Sequence, residues 1–189
     1  MIAGVDEAGR GAWAGNVVAA AVILPPDYDL PYLNDSKKLS PKRREQLFHA
    51  IAEQALAWCY AQVSAAMIDQ INIHQATLLA MRLAIDALAL PPQRILIDGK
   101  FLPPDLLYPA QAIIDGDALE PVIAAASIMA KVIRDRQLIE LDKQYPQYGF
   151  AAHKGYGTAQ HSRALREYGI IAEHRRSYAP IKALLREVP

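Results

Sequence analysis

The chain has 189 residues, 52% of them apolar, which is enough to bury one core and too apolar for a disordered segment. Its 20 basic and 20 acidic side chains cancel, so net charge neither requires nor excludes a polyanionic partner, and only local clustering can speak to one. The single cysteine, Cys59, excludes an internal disulfide, and no apolar stretch approaches the roughly 20 residues that cross a bilayer. With no leader pattern at its start, the chain reads as a soluble, cytoplasmic protein with no membrane partner, and as a monomer.

Residues 2–5 read as a short buried strand. Residues 16–24, NVVAAAVIL, read as a second, stopped by Pro25-Pro26, and the glycines between the two suit a hairpin. The Pro, Asp and Asn content of 25–39 marks a loop. Ser40 as cap and Pro41 as first residue open a helix, along which Leu47, Ile51, Ala55 and Trp58 recur at helical spacing. Residues 60–64 suit a strand, and Cys59 is expected to be a small buried residue near it. A helix is predicted over about 72–90, with Leu78, Met81, Ile85 and Leu88 on one side and Pro91-Pro92 at its end. Short strands follow at 94–98 and 110–115, then a long helix over 120–143 with Pro121 near its start. A glycine- and aromatic-rich segment after Tyr145 leads into shorter helical pieces. Strands alternating with helices predict an α/β fold, a mixed sheet with helices on its faces, whose chemistry gathers where strand ends meet loops.

Four acids close apolar runs: Asp6 and Glu7 after the first strand, Asp98 in RILID, and Asp117 in IIDGDALEP. Any one of them is most simply a solvated turn residue. Acids from several strand ends are another matter, because neighbouring strands lie about 4.8 Å apart and crowded carboxylates repel unless protonated or bridged by cations. Such a cluster suits hard divalent ions, which take oxygen ligands and leave room for a phosphate. One geometric objection stands: consecutive strand residues point to opposite faces, so Asp6 and Glu7 converge only if the strand is irregular near Glu7. Gly9 and Gly11 permit that irregularity.

The motifs GVDEAGRG, LNDSKKLS, LIDG, AAASIMAKVIRDR and HKGYGT stand here in an order that resembles the type 2 ribonucleases H, the ribonuclease HII family, from about residue 2 to about 183. The resemblance implies a ribonuclease H-like fold: a five-stranded mixed sheet flanked by helices, with a small helical C-terminal part. It implies one catalytic domain over 1–189, with a core to about 145 and a substrate-contacting part over about 146–189. The implied activity is cleavage of the RNA strand of RNA/DNA hybrids. The family also cuts 5′ of single ribonucleotides in duplex DNA, leaving 3′-hydroxyl and 5′-phosphate ends, with Mn²⁺ or Mg²⁺. Carried over by position, Asp6, Glu7, Asp98 and Asp117 would be the catalytic, metal-binding acids. Gly9, Arg10 and Gly11 would contact the nucleic acid, and Tyr156 would pack on the sugar. Two departures are visible: Ala12 and Asn16 replace family prolines, loosening that loop, and Asp115 stands where a basic residue is usual, as a bystander.

Physical reasons accompany the carry-over. Glycine lets peptide groups approach a 2′-hydroxyl, and arginine suits a phosphate. Lys37 and Lys38, in a loop with Asn34 and Ser36, make a plausible phosphate seat, whereas Lys42, Arg43 and Arg44 read as a solvated helix face. A second basic group comprises Lys154, Arg163, Arg166, Arg175, Arg176 and Lys182. Ser127 and Lys131 share a helix face and could touch a phosphate or support Asp117. Arg134, Asp135 and Arg136 read as a structural or surface cluster, and His153, His161 and His174 receive no catalytic role. The competing readings are a nucleic-acid binding module of the same fold that does not cut, and a phosphatase for small esters. The four acids weigh against the first, and the basic clusters and Tyr156 against the second.

Overall fold

The computed structural model describes residues 1–33 and 36–187. Five strands form one sheet in the order β3-β2-β1-β4-β5. They are β1 (Ile2–Ala8), β2 (Val17–Ile23), β3 (Ala57–Val63), β4 (Arg94–Asp98) and β5 (Ala110–Ile113). The hairpin β1–β2 and the pair β2–β3 are antiparallel, while β1–β4 and β4–β5 are parallel, so the sheet is mixed as expected. β2 is buried along its whole length, which is why VVAAAVI is a continuous apolar run rather than an alternating one.

The helices are α1 (Pro41–Gln54), α2 (Ala65–Asp86), α3 (Gly116–Leu119), α4 (Pro121–Gln144), α5 (Phe150–His153), α6 (Ala159–Tyr168) and α7 (Ala179–Glu187). On one face of the sheet, Val18, Ala20 and Val22 pack against Leu47, Phe48 and Ile51 of α1 and the Ala125–Ile133 side of α4. On the other, Val5, Val17, Ala19, Ile95 and Ile97 pack against Leu78, Met81 and Ile85 of α2. The period of two then assigns Gly4, Asp6, Leu96 and Asp98 to the α4 face. A third cluster, with Leu138, Tyr148, Phe150, Leu165 and Ile181, joins the C-terminal helices to α4.

The Ser40 hydroxyl caps α1 by accepting the Arg43 N–H at 3.2 Å, as its position predicted. The helix stops at Gln54, however, and Trp58 belongs to β3. Trp58 reaches the same apolar layer from the sheet, edge-on to Phe48 at 6.1 Å, so helical spacing alone misassigned it. Cys59 sits in β3 and is half-buried. The predicted helix start at residue 72 marks a break inside α2, where Asn72 takes φ 65° and its side chain caps the Gln75 N–H at 3.0 Å. The turns before it, capped by Ser64, were not foreseen.

Backbone-to-backbone packing seats α4 directly on β1. A Cβ on Gly4 would lie 2.1 Å from the Val122 carbonyl carbon. Gly4→Ala is therefore expected to lower stability by about 3 kcal/mol, at the upper end for overpacking. Urea unfolding measures it, and a variant within about 0.5 kcal/mol of the parent would mean that α4 is free to shift.

Candidate active site

The last ladder pair of β1 and β4 is Val5↔Ile97, so the next residue on each strand is an aspartate. The parallel register sets Asp6 beside Asp98 on the α4 face at about one strand spacing. Beyond that pair β1 has no β4 neighbour, and the Glu7 N–H donates to Asp6 Oδ1 at 2.7 Å. Asp98 Oδ1 accepts the Gly116 N–H at 2.8 Å. Glycine at 116 eases this approach, since a Cβ would crowd the Ile123 Cδ1 tip at 2.6 Å and the Asp98 oxygen itself at 3.3 Å.

No bulge interrupts β1. Its antiparallel register with β2 runs unbroken through Asp6↔Ala20, Glu7↔Ala19 and Ala8↔Val18. The expected irregularity in the strand is absent, yet Glu7 lines the same cleft as Asp6 and Asp98, a space of about 480 Å³. The cleft wraps over the open end of the sheet, so a residue of either phase can face it there. Asp6 is raised well above the usual carboxylate range, by burial first and then by the charges of Glu7 and Asp98. Burial also raises Glu7; Arg10 beside it lowers it, and Asp98 raises it further.

Asp117 lies in α3, buried, one residue past the Gly116 N–H that holds Asp98. It is not among the cleft-lining side chains, and it stands 3.7 Å from the Lys37 ammonium, which is. Asp115 is exposed and left-handed at φ 54°, and it is not among the residues lining the acid cleft. Protein cations touch the acids at the rim, Arg10 at 3.4 Å from Glu7 and Lys37 from Asp117. The acids surround an open cleft rather than a closed cage: among the described residues no three His, Cys, Asp or Glu side chains form a ready metal cluster. Their chemistry, all oxygen and crowded by like charge, fits a hard divalent cation. A larger groove of about 700 Å³, between β3 and α4 and lined by Trp58, Tyr60 and Leu141, contains none of these strand-end acids.

The remaining expected residues divide. Gly9, Arg10, Gly11, Ser36, Lys37, Ser127, Lys131 and Tyr156 line the acid cleft. Ser36 is buried, its hydroxyl 2.8 Å from Ser127 Oγ, so it braces Ser127 at the cleft wall. Ser127 stands by Asp6 and favours its charged form, a smaller influence than burial and the neighbouring acids. Lys131 pairs with Asp135 at 2.6 Å. Lys154 stands outside the acid cleft and lines a neighbouring one of about 310 Å³ with Arg44 and Lys131. Lys38 is exposed and lines neither. Asn34 lies outside the described residues. Tyr156 is 38% exposed, with the Arg134 guanidinium carbon 5.4 Å from its ring centroid.

Arg175, grouped by sequence with the second basic cluster, is fully buried, and Arg134 takes the structural side of its reading, fully buried as well. Both donate to carbonyls of the 9–16 loop, which thereby gains the rigidity that Ala12 and Asn16 seemed to remove. The sequence signal for Arg134 was a basic residue following apolar helix positions, shared by many surface residues; Arg175, between His174 and Arg176 outside any helix, had none.

Behind Tyr156 lies a histidine relay. The Ile171 N–H donates to His174 Nδ1, the two Nε2 atoms of His174 and His161 meet at 3.0 Å, and His161 Nδ1 meets the Tyr156 carbonyl at 3.0 Å. Since a carbonyl only accepts, His161 carries its proton on Nδ1 and His174 on Nε2, and both rings are neutral. Burial, above all, lowers each to about 4.

A family model described as ribonuclease HII matches residues 3–180. A ribonuclease HII of Dichelobacter nodosus is 65% identical over 186 residues, 98% of both chains. One of Acinetobacter baylyi is 54% identical over 185 residues, again 98% of both. The crystal structure of the ribonuclease H2 from Pyrococcus horikoshii superposes with a TM-score of 0.83 at 25% identity, covering 98% of this chain and 97% of the other.

The relay makes a pH prediction. A folded ring stays neutral down to about 4, whereas an unfolded one takes its proton near 6.5, so the unfolded state binds more protons between these values. The contribution is full above about pH 6.5 and falls as pH drops toward 4, by at most about 1.4 kcal/mol per unit for each ring. Asp6, shifted the other way, opposes this, so the measure is the difference between wild type and His174→Gln in urea unfolding at pH 7, 6 and 5. The variant's slope should be shallower; equal slopes would count against a neutral pair.

Proposed function

This chain belongs to the ribonuclease HII family, and from that premise we infer that it is an endonuclease. It hydrolyses the RNA strand of RNA/DNA hybrids and cuts 5′ of single ribonucleotides embedded in duplex DNA, leaving 3′-hydroxyl and 5′-phosphate ends. One observation carries the reading: acids able to hold hard cations and a loop able to feel a sugar line a single cleft.

In this reading Asp6, Glu7 and Asp98 hold Mg²⁺ or Mn²⁺, with Asp117 as a fourth acid beside Lys37. When bound, such ions supply an activated water and charge at the attacking and leaving oxygens of the phosphodiester. The chain's own task is orientation. The Gly116 N–H fixes Asp98, while the Glu7 N–H fixes Asp6 beside Ser127, so the carboxylates are pre-set before substrate arrives. Arg10, Lys37 and Lys131 bind phosphates at the cleft, and Lys38 and Lys154 extend that path along the strand, making affinity salt-dependent. Ser36 acts through Ser127. Gly11 and Tyr156 meet the ribose: a Cβ on Gly11 would touch nothing but Tyr156 Cε1, at 3.9 Å, so its face is open to a sugar. The protein works as one catalytic domain, with residues 146–189 contributing Tyr156 and Lys154. The buried acids disfavour the reading of a binding module that does not cut, since such a module gains nothing from carboxylates raised by burial.

The deciding assay offers a duplex with one ribonucleotide, with Mg²⁺ or Mn²⁺, and maps the ends. No cleavage with either ion would overturn the reading. Asp6→Asn and Asp98→Asn should each lower turnover on the order of 10³-fold or more, through lost charge stabilisation, while substrate still binds. Retained turnover would remove them from the metal site. Gly11→Ala should melt like the parent yet bind the ribonucleotide duplex about tenfold more weakly, a loss of roughly 1.4 kcal/mol. Unchanged affinity would place the sugar elsewhere. Gly9→Ala is not equivalent, because its Cβ would strike Arg134 Nε at 1.9 Å.

A further inference from the structure

Two fully buried arginines stand beneath the sugar-facing loop, and no ion pair among the described residues involves either. They donate to backbone instead. Arg134, on α4, reaches the carbonyls of Asn16 at 3.1 Å, Lys154 at 3.0 Å and Ala14 at 3.2 Å. Arg175, in the segment before α7, places Nε and Nη2 on the Gly15 carbonyl at 3.1 and 2.9 Å and Nη1 on the Arg10 carbonyl at 2.9 Å. The Tyr178 hydroxyl donates to the same Arg10 carbonyl. Burying guanidinium groups without an acid is unfavourable, and burial draws both below their ordinary values, Arg134 to about 10. A helix end or an apolar side chain would staple the loop without that penalty. The arginines give something a staple does not: they choose which way the peptides face.

A trans peptide points its C=O and N–H in opposite directions. With the Arg10 carbonyl drawn inward by Arg175 and Tyr178, the Gly11 N–H turns outward, and it donates to no described residue. The neighbouring side chain is Tyr156, whose ring lies over Arg134. Gly9 lets Arg134 in from below, with φ 94° and no room for a Cβ. Trp13 N–H to the Gly155 carbonyl at 2.8 Å then ties the loop to the Tyr156 segment.

We infer that Arg175, Tyr178 and Arg134 are positioning residues for ribose recognition: by turning the carbonyls of the loop inward, they aim the Gly11 N–H, beside Tyr156, at the 2′-oxygen of the substrate sugar. The inference rests on the reading that this cleft takes ribonucleotide-containing duplexes. It differs from a purely structural role in one respect. A structural staple, when weakened, lowers binding of every duplex alike, whereas a misaimed N–H lowers binding of the ribose-containing one alone.

The test measures dissociation constants of the full chain for two duplexes of one sequence, with a single ribonucleotide or with none, in EDTA so that nothing is cut. The ratio of the two constants does not depend on the folded fraction. Tyr178→Phe removes one donor from the Arg10 carbonyl at a half-buried position and should fold. It is expected to lose about fivefold of the wild-type ratio, the scale of one neutral hydrogen bond. Arg175→Lys, which cannot span both carbonyls, is expected to lose more. The Gly11 amide resonance should move in each. A folded Tyr178→Phe protein with the wild-type ratio overturns the positioning role, whatever Arg175→Lys does. A wild type that does not prefer the ribonucleotide overturns the ribose reading itself, and this inference with it.

Discussion

Where the ladder between β1 and β4 runs out, each strand places an aspartate next, and the rest of the site follows from that register. Two carboxylates about one strand spacing apart, at a buried sheet end, cannot both be comfortably charged. The protein surrounds them with directed N–H groups and a serine, but keeps its own cations at the rim. The result is a cleft whose electrostatic need is met from outside, by ions that a phosphate can share. Gly4 enforces the arrangement, because α4 must lie directly on β1 for Ser127 to reach Asp6.

The opposite charge is handled in the opposite manner. The buried guanidinium groups of Arg134 and Arg175 are satisfied by the chain itself, through carbonyls of one loop together with the Lys154 carbonyl and the Tyr178 hydroxyl. Negative charge at the cleft surface and positive charge beneath the neighbouring loop are thus parts of one design. The first is left incomplete for ligand ions, and the second is completed internally so that a loop without prolines still has one conformation. The histidine relay continues the same logic outward, ending on the Tyr156 carbonyl.

Much of this could be read in the chain. Five strands and the long helices announced themselves through apolar runs bounded by Pro, Gly and capping Ser. Asp6 and Asp98 stood out because an acid ending a buried run is costly unless used. Trp58 was misread because a strand and a helix can deliver an aromatic ring to the same layer at the same spacing. Glu7 was foreseen in the cleft for a reason that failed: the strand is regular, and the sheet simply ends there. Arg175 was read only as one member of a basic group, since nothing local distinguishes a buried arginine whose partners are carbonyls 160 positions away.

The sequence by itself determined the elements, the acids that end them and the motif order that marks the family, because these depend on local periodicity and on residue chemistry. The tertiary structure alone decided which groups face each other. The β1–β4 register set Asp6 beside Asp98, α4 brought Ser127 to Asp6, and a distant segment turned the peptides of the loop after β1. Carbonyls carry no residue identity, so hydrogen bonds to them leave no signature in the sequence. That is why Arg10 and Gly9 could be recognised from their motif, while the arginines that hold them could not.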